Sequence, residues 1–450
     1  MLVIISDTHL SDGTTSANPS PQAFEILRNE IEENTVANGV QEIRLVLLGD
    51  IFDPVRTDWW FDPANVQSEQ RPWNGELDPR TGMNRDSPEV ERQFAAVLRR
   101  ILDHSATRAF IEMINTLPST KAGLRPALTY VLGNHDRAFN NFPSLQQLVR
   151  ERFGSLPLDF VNSFTEPAYG VHARHGHEWE ENCNARLLLR NVLQLGKDFD
   201  FLDPALNQVM SISEVITAEL MSGLVYRIKQ SGDPGLAELI KGVDNLRPAT
   251  DVFQWLQWQA RGRNLSTKEQ ELLARHLIDS ISGVVDSEFG KLWDEAWPDL
   301  LVSGDLVDRL QLIRDHLQAD GLEALRLGAD LMAKLTRLKD ALVPERDDCF
   351  EGARKEFAHL GPEIQFLVYG HTHRARHDYL SGSVDGRVRL YINTGTYLPL
   401  VERTADASGF ASSHQMTMAF FYKDGEDRKG RARGGPTVDF WSGIKRKEYA

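Results

Sequence analysis

Cysteine is nearly absent from this chain of 450 residues: Cys183 and Cys349 are the only two, far apart and outside any ligand spacing. That argues against a disulfide framework or a cysteine metal site and favours a reducing compartment. No uninterrupted apolar run approaches the roughly 18 residues that a membrane span needs. No basic region opens the chain, and its apolar start runs directly into Asp7 and His9, so cleavage as a signal would remove them. A soluble, cytoplasmic protein is the expectation. Positive charge is also short: 50 Lys and Arg stand against 65 Asp and Glu, a formal net charge of −15. Such a field repels polyanions and counts against extended nucleic-acid binding, without excluding a local basic groove. At 41% hydrophobic residues the chain can bury a large core. It is too long for one ordinary domain, so an elaborated core with an inserted subdomain is expected. No internal repeat is visible.

What the chain does have is a series of short apolar runs that end in oxygen or imidazole donors. Ile43 to Leu48 reads as a buried strand and leads into Gly49-Asp50-Ile51-Phe52-Asp53. Leu2 to Ser6 ends in Asp7-Thr8-His9, Leu128 to Leu132 in Gly133-Asn134-His135-Asp136, Tyr169 to Ala173 in His175-Gly176-His177, and Ile364 to Tyr369 in Gly370-His371-Thr372-His373. In open α/β sheets, ligands collect outside the carboxyl ends of strands. Any one of these groups alone is ordinary turn chemistry, and Asp7 with His9 alone reads as a turn acid beside a solvated imidazole. Five spaced groups in one order are not expected by chance.

The ordered set Asp-x-His, Gly-Asp-x-x-Asp, Gly-Asn-His-Asp, His-Gly and Gly-His-x-His resembles the calcineurin-like metallophosphoesterase superfamily, over roughly residues 1 to 182 and 351 to 422. The resemblance implies an α/β fold: a four-layer α/β/β/α sandwich of two mixed sheets flanked by helices, here with a large all-α insertion. It implies two divalent metal ions, Mn foremost, with Fe and Zn also compatible with carboxylate and imidazole donors. Asp7, His9, Asp50 and His373 would surround one ion, and Asp50, Asn134, His175 and His371 the other, with Asp50 bridging. His135 would donate a proton or stabilise the transition state near the leaving oxygen. Asp136 would orient His135 or hold its loop, and Asp53 would fix a loop or a ligand histidine from behind. The implied activity is hydrolysis of a phosphate ester by in-line attack of a metal-bridging hydroxide, without a covalent enzyme intermediate. The spacing His371-x-His373-x-x-x-His377, with Leu48-Gly49-Asp50-Ile51-Phe52, is also similar to the branch containing UDP-diacylglucosamine diphosphate hydrolases, whose cap is far shorter.

Arg137, Arg174, Arg374 and Arg376 adjoin the ligand groups and could meet substrate anions through bidentate hydrogen bonds. Alternation turns Arg174 away from His175, so Arg137 and Arg374 rank above it. His177 and His377 could contact phosphate or be solvated or hydrogen-bonded elsewhere.

The expected organisation is a first core part at 1–182, a helical cap at 183–350, a second core part at 351–422 and a polar tail at 423–450. Ala23 to about Ala37 reads as a surface helix. Ser87-Pro88-Glu89 opens a long helix to about Asn115, with Ser87 as its cap. The stretch from Asp53 to Ser87 carries Trp59, Trp60 and Trp73 with no clear period, and is expected to form a substrate wall or lid, or to pack onto the domain. The cap shows breaks at Gly232-Asp233-Pro234, Arg247-Pro248, Gly262 and Trp297-Pro298, capping boxes at Ser211-x-x-Glu214 and Ser266-x-x-Glu269, and helical spacing from Asp305 to Leu342. Its apolar faces form its own core or a groove for a substrate or protein partner. Val384 to Ile392 and Met416 to Tyr422 read as strands. The tail, with Arg428, Lys429, Arg431, Arg433 and Lys445-Arg446-Lys447, reads as mostly solvated, with an anion-binding arm as the alternative. A nuclease of the same superfamily and a non-catalytic scaffold are the competing readings.

Overall fold

A computed structural model describes residues 1–121, 123–194, 197–248, 251–297, 305–321, 348–382, 388–406, 408–428 and 434–446. The strands in chain order are β1 (Leu2–Ile5), β2 (Arg44–Leu48), β3 (Ala127–Val131), β4 (Leu158–Val161), β5 (Phe164–Glu166) and β6 (Val171–Ala173). They continue with β7 (Phe366–Tyr369), β8 (Ala375–Gly382), β9 (Val388–Thr394), β10 (Pro399–Arg403), β11 (Phe410–Tyr422) and β12 (Thr437–Arg446). Two mixed sheets result. In the first, β1 to β4 run parallel in the order β1-β2-β3-β4, and β11 lies antiparallel to β1. The second has the order β5-β6-β7-β9-β8, with its three central strands parallel.

The near-continuous apolar runs follow from burial on both faces. Leu2, Ile4, Val46, Leu48 and Val131 of the first sheet meet Val171, Ala173, Phe366, Val368 and Ile392 of the second. Val3, Ile5, Leu45 and Leu47 turn the other way and share a cluster with Phe24 of the helix Pro21–Asn38, Val97 of Ser87–Asp103 and Phe110 of Ser105–Thr116. The far face of the second sheet packs Leu367, Tyr369 and Tyr391 against Ala353 and Phe357 of the helix Asp348–Phe357. The result is an α/β sandwich with helices outside two facing sheets.

Several expectations are corrected. The helix expected from Ser87 to Asn115 is two helices. Between them His104 is extended (φ −67°, ψ 143°), and its imidazole accepts from Ala106 N–H, capping the second helix. The first is capped by the Asp86 carboxylate accepting from Glu89 N–H, which leaves Ser87 inside the helix. Among the described residues of the expected tail, Thr437–Arg446 form a sheet strand rather than a free arm. β12 pairs with β11 from Thr437 opposite Tyr422 to Arg446 opposite Ser413, because alternate residues Val438 and Phe440 join the core between the sheets. Lys429, Arg431, Arg433 and Lys447 lie outside the described residues.

The insertion carries, among others, the helices Gly223–Gln230, Val252–Gly262, Thr267–Val285, Glu288–Ala296 and Leu306–Asp320. Both expected capping boxes form. The part of the expected 305–342 helix beyond residue 321, and Pro298, lie outside the described residues. Its core is not its own: Leu224, Ile281 and Phe289 belong to the same cluster as Trp60, Trp73 and Phe94. The Trp-rich stretch stitches the two together. Trp60 donates to Pro54 O (3.0 Å), Trp73 donates to Glu219 Oε1 (2.9 Å), and Phe289 N–H donates to Trp73 O (3.1 Å). Its two buried indoles are therefore committed to packing rather than to a substrate wall. The boundary expected after residue 350 falls inside the helix Asp348–Phe357, which already belongs to the core. Among the described residues one helical stretch, Pro204–Gln230, is long and apolar enough to cross a membrane, but 83% of its apolar window is buried inside the protein, as a core helix would be.

Candidate metal centre

The ends of β1, β2, β3, β6 and β7 bring their donor groups together at one rim of the sandwich. Six non-glycine residues among those described have positive φ, and five of them are Asp7 (51°), His9 (42°), Asp50 (53°), His371 (70°) and His373 (61°). Left-handed backbone costs an L-residue roughly 1–2 kcal/mol, so it persists only where the surroundings impose it. The restraint is visible. Asp7 N–H donates to Gly49 O (3.1 Å) and His9 N–H to Asp50 O (2.9 Å), which continues the β1–β2 pairing into the loops. His371 N–H donates to Asp7 Oδ2 (3.0 Å), and His135 N–H to Asp50 Oδ1 (2.9 Å). The glycines of the motifs leave room for these contacts. A Cβ on Gly133 would lie 2.3 Å from Asp50 Oδ1, and one on Gly370 2.5 Å from Asp7 Oδ2.

Side chains behind the cluster fix which imidazole nitrogen faces it. His9 Nδ1 donates to Asp53 Oδ2 (2.7 Å) and His175 Nδ1 to Leu48 O (2.9 Å), so in each ring Nε2 is the nitrogen turned toward the cluster. His9 Nε2 is 2.8 Å from His373 Nε2, 3.7 Å from Asp50 Oδ2 and 3.8 Å from Asp7 Oδ1. His175 Nε2 is 3.1 Å from Asp50 Oδ2. His371 Nε2 meets Glu180 Oε2 at 2.7 Å, so Nδ1 is the nitrogen left for the cluster.

Among the described residues, four groups linked by shared members could hold a metal ion, each with donor atoms within 4.8 Å of one another: Asp7–His9–His373, His9–Asp50–His135, Asp50–His175–His371 and Glu180–Cys183–His371, the last placing Cys183 beside the cluster against the expectation of no cysteine site; a fifth group, Asp294–Asp305–Asp308, lies apart. Asn134, next to His135 whose N–H donates to Asp50 Oδ1, has a buried Oδ1 without a hydrogen-bond partner. Orphaned acceptors and facing imidazole nitrogens are what a cation would satisfy, and mixed carboxylate and imidazole donors suit divalent transition ions. Neither a family model nor a curated protein matches the chain.

The electrostatics follow from burial opposed by close charge. Burial pushes the Asp50 carboxyl up, but the imidazoles of His175 and His135 outweigh it and hold it well below the usual carboxylate range. Burial pulls His175 down, yet Asp50 brings it up to about 10. For His373, burial and then the Arg247 guanidinium both act downward and keep the imidazole neutral, the form a ligand needs.

His135 stands beside the cluster with Nδ1 2.9 Å from Asp53 Oδ2. Burial lowers its affinity for a proton, but Asp53 and then Asp50 outweigh that and raise it to about 9. The partner of His135 is thus Asp53. Asp136 accepts from Ile51 N–H (3.1 Å), Gly133 N–H (2.5 Å) and Tyr130 O–H (2.5 Å), so it ties the Asp50 and Asn134 loops together. Burial and then the Asp50 charge raise its carboxyl to about 7.

The expected substrate contacts fare differently. Arg137 is buried and spends its guanidinium on Glu214 (2.8 Å twice) and Gln208 O (3.0 Å), which anchors the insertion instead of facing substrate. Arg374 is exposed at the rim and pairs with Glu402 (2.9 Å). His177 packs beside His175 and His371, with ring centroids at 5.5 and 6.2 Å, and burial lowers it to about 4. His377 lies on β8 against the Phe440 ring (6.1 Å). Arg174 faces away, as alternation requires, and pairs with Glu178 and Glu356.

Sequence reasoning missed Arg56, Glu180 and Arg247. Arg56 Nε sits between Asp53 Oδ2 (2.8 Å) and Asp244 Oδ2 (2.7 Å), joining core to insertion. Glu180 stands five residues after His175, and an acid so close to a ligand group was a usable signal. Arg247 read only as a helix break before proline, and nothing local announces its contact with His373 across 126 residues.

Proposed function

We propose that the chain is a metal-dependent phosphoesterase of the calcineurin-like kind, hydrolysing a phosphate ester at a dinuclear centre. The carrying observation is the convergence of five strand ends on one cluster, with Asp7, His9, Asp50, His371 and His373 held in left-handed backbone. Asp7, His9, Asp50 and His373 would hold one ion, and Asp50, Asn134, His175 and His371 the other, with Mn the first choice and Fe or Zn compatible. When bound, such ions lower the pKa of water and neutralise phosphoryl oxygens.

The chain's own residues do the rest. His135, kept protonated by Asp53, gives its proton to the leaving oxygen, a contribution of roughly 10²–10⁴ in rate. Asp53 fixes the imidazoles of His9 and His135 together. Asp136 holds the two loops in register, and Glu180 sets the ring of His371. The tail was the feature that favoured a nuclease; its described end is a sheet strand, not a free arm.

The test is hydrolysis by metal-stripped, Mn-reconstituted protein across phosphomonoesters, cyclic and linear diesters, nucleoside diphosphate conjugates and single-stranded DNA, with Asp50→Asn alongside. Turnover of one class, lost in the variant, supports the reading. No stoichiometric metal and no turnover would return the chain to a scaffold.

A further inference from the structure

Arg247 of the insertion reaches the candidate metal centre and contacts His373 directly. Leu246 bridges to Val401 of β10, and Arg247 N–H donates to Val401 O (2.9 Å), so the backbone there is pinned to the core. From that anchor the Arg247 side chain runs to the cluster. Nη1 donates to Leu246 O (2.7 Å) and Asp244 O (3.2 Å), while Nη2 lies 2.6 Å from Nδ1 and 3.0 Å from Nε2 of His373.

Arginine carries donors only, so in this arrangement His373 accepts from it. His373 Nε2 also faces His9 Nε2 (2.8 Å) and Asp7 Oδ1 (3.4 Å), which makes it the nitrogen turned to the cluster. A neutral imidazole that gives Nε2 to a metal carries its proton on Nδ1, and that N–H would then confront the N–H groups of Arg247. The contact seen here and a ligated His373 exclude one another, and the freed guanidinium needs an acceptor. Of the acids around Arg247, Asp244 pairs with Arg56 (2.7 Å), Glu402 with Arg374 (2.9 Å) and Glu180 with His371 (2.7 Å), Asp251 lies 3.6 Å from Arg403, and Asp7 belongs to the cluster itself. Beside Arg247 opens a groove of ≈ 430 Å³ lined by Pro248, Asp251, Arg374, Glu402 and Arg403.

We propose that Arg247 is a substrate-binding residue, which leaves His373 when the centre is loaded and grips the non-bridging oxygens of the phosphoryl group, with the esterified group in the groove. This rests on the phosphoesterase reading above. A planar fork of donors matches two phosphoryl oxygens at once, and the insertion rather than the core supplies it.

The experiment uses Mn-loaded full-length protein, with inorganic phosphate as the probe in calorimetry and metal content measured on the same samples. Arg247→Met keeps the length of the side chain without its charge, and Arg247→Lys keeps the charge without the fork. Expected is unchanged metal content in both, with phosphate bound about 10–100-fold more weakly by the Met variant and the Lys variant in between. Equal phosphate affinity in wild type and Arg247→Met, with metal in place, would overturn the inference and leave the phosphoesterase reading standing. Loss of metal in both variants would make Arg247 a support of His373 instead. A wild-type protein that takes up no stoichiometric metal would refute both readings together.

Discussion

Asparagine at position 53 is the most informative single change, because one carboxylate oxygen there serves three groups. Asp53 Oδ2 lies 2.7 Å from His9 Nδ1, 2.9 Å from His135 Nδ1 and 2.8 Å from Arg56 Nε. Asn keeps the shape but removes the charge. Losing the carboxylate behind a ligand histidine typically costs 10–100-fold in metal affinity or activity, so Asp53→Asn should need about that much more Mn for half-saturation. A second effect survives saturating metal. Asp53 is the main influence raising His135 to about 9 against the pull of burial, so in the variant the imidazole titrates lower. A general acid works below its pKa, and the basic limb of the kcat/KM profile should therefore move toward neutral pH. At pH 8 the variant should lose roughly 10²–10⁴ of rate, with partial recovery as the pH is lowered toward 6. The fold should survive, because Arg56 retains Asp244 at 2.7 Å; breaking a buried ion pair outright would cost about 3–5 kcal/mol. The assay is kcat/KM against pH at saturating Mn, with urea unfolding as control. An unshifted basic limb and a rate within about fivefold of wild type would refute the assignment of Asp53 as the partner of His135.

Three further outcomes are expected. His135→Ala should keep its full metal content while losing roughly 10²–10⁴ in kcat on an unactivated ester; full activity would remove His135 from the chemistry. Glu178 is buried, and although burial pushes its carboxyl up, His177 and Arg174 outweigh that and hold it at about 2, below the ordinary 4.5. Its stabilisation is therefore fully present above pH 4.5 and lost as the pH falls toward 2, so Glu178→Gln should flatten the acid limb of a stability-against-pH curve, and an unchanged limb would contradict the shift. Trp73→Ala should cost about 3–5 kcal/mol in urea unfolding with metal uptake intact, because its indole is buried and donates to Glu219; a loss under about 1 kcal/mol would show the stitch to be dispensable.

The strands and their donors were legible because the signals are local. An apolar run with both faces buried, ended by Gly-Asp or Gly-His, carries its own position, and the structure brings Asp7, His9, Asp50, His175, His371 and His373 into overlapping groups. What escaped is set by partners distant in the chain. The break at His104 depends on one imidazole capping the next helix, which a continuous apolar stripe conceals. β12 carried a period of two in Val438 and Phe440 but was outweighed by the charges around it. Arg137 was read by its neighbours, yet its place was decided by Glu214, 77 residues away. Asp136 looked like the partner of His135 by adjacency; the turn instead aims it at Ile51, Gly133 and Tyr130.

The left-handed residues at the rim carry a consequence for drift. Glycine would relieve the backbone at His9, Asp50, His371 or His373, where φ lies between 42° and 70°. Substitutions that raise stability are thus available at the very positions that supply donors, and each would cost the cluster a ligand. Where such a cluster has no use, stability itself favours replacing these side chains. In this chain the backbone cost at five positions and a cluster able to hold a metal ion come together in the same residues.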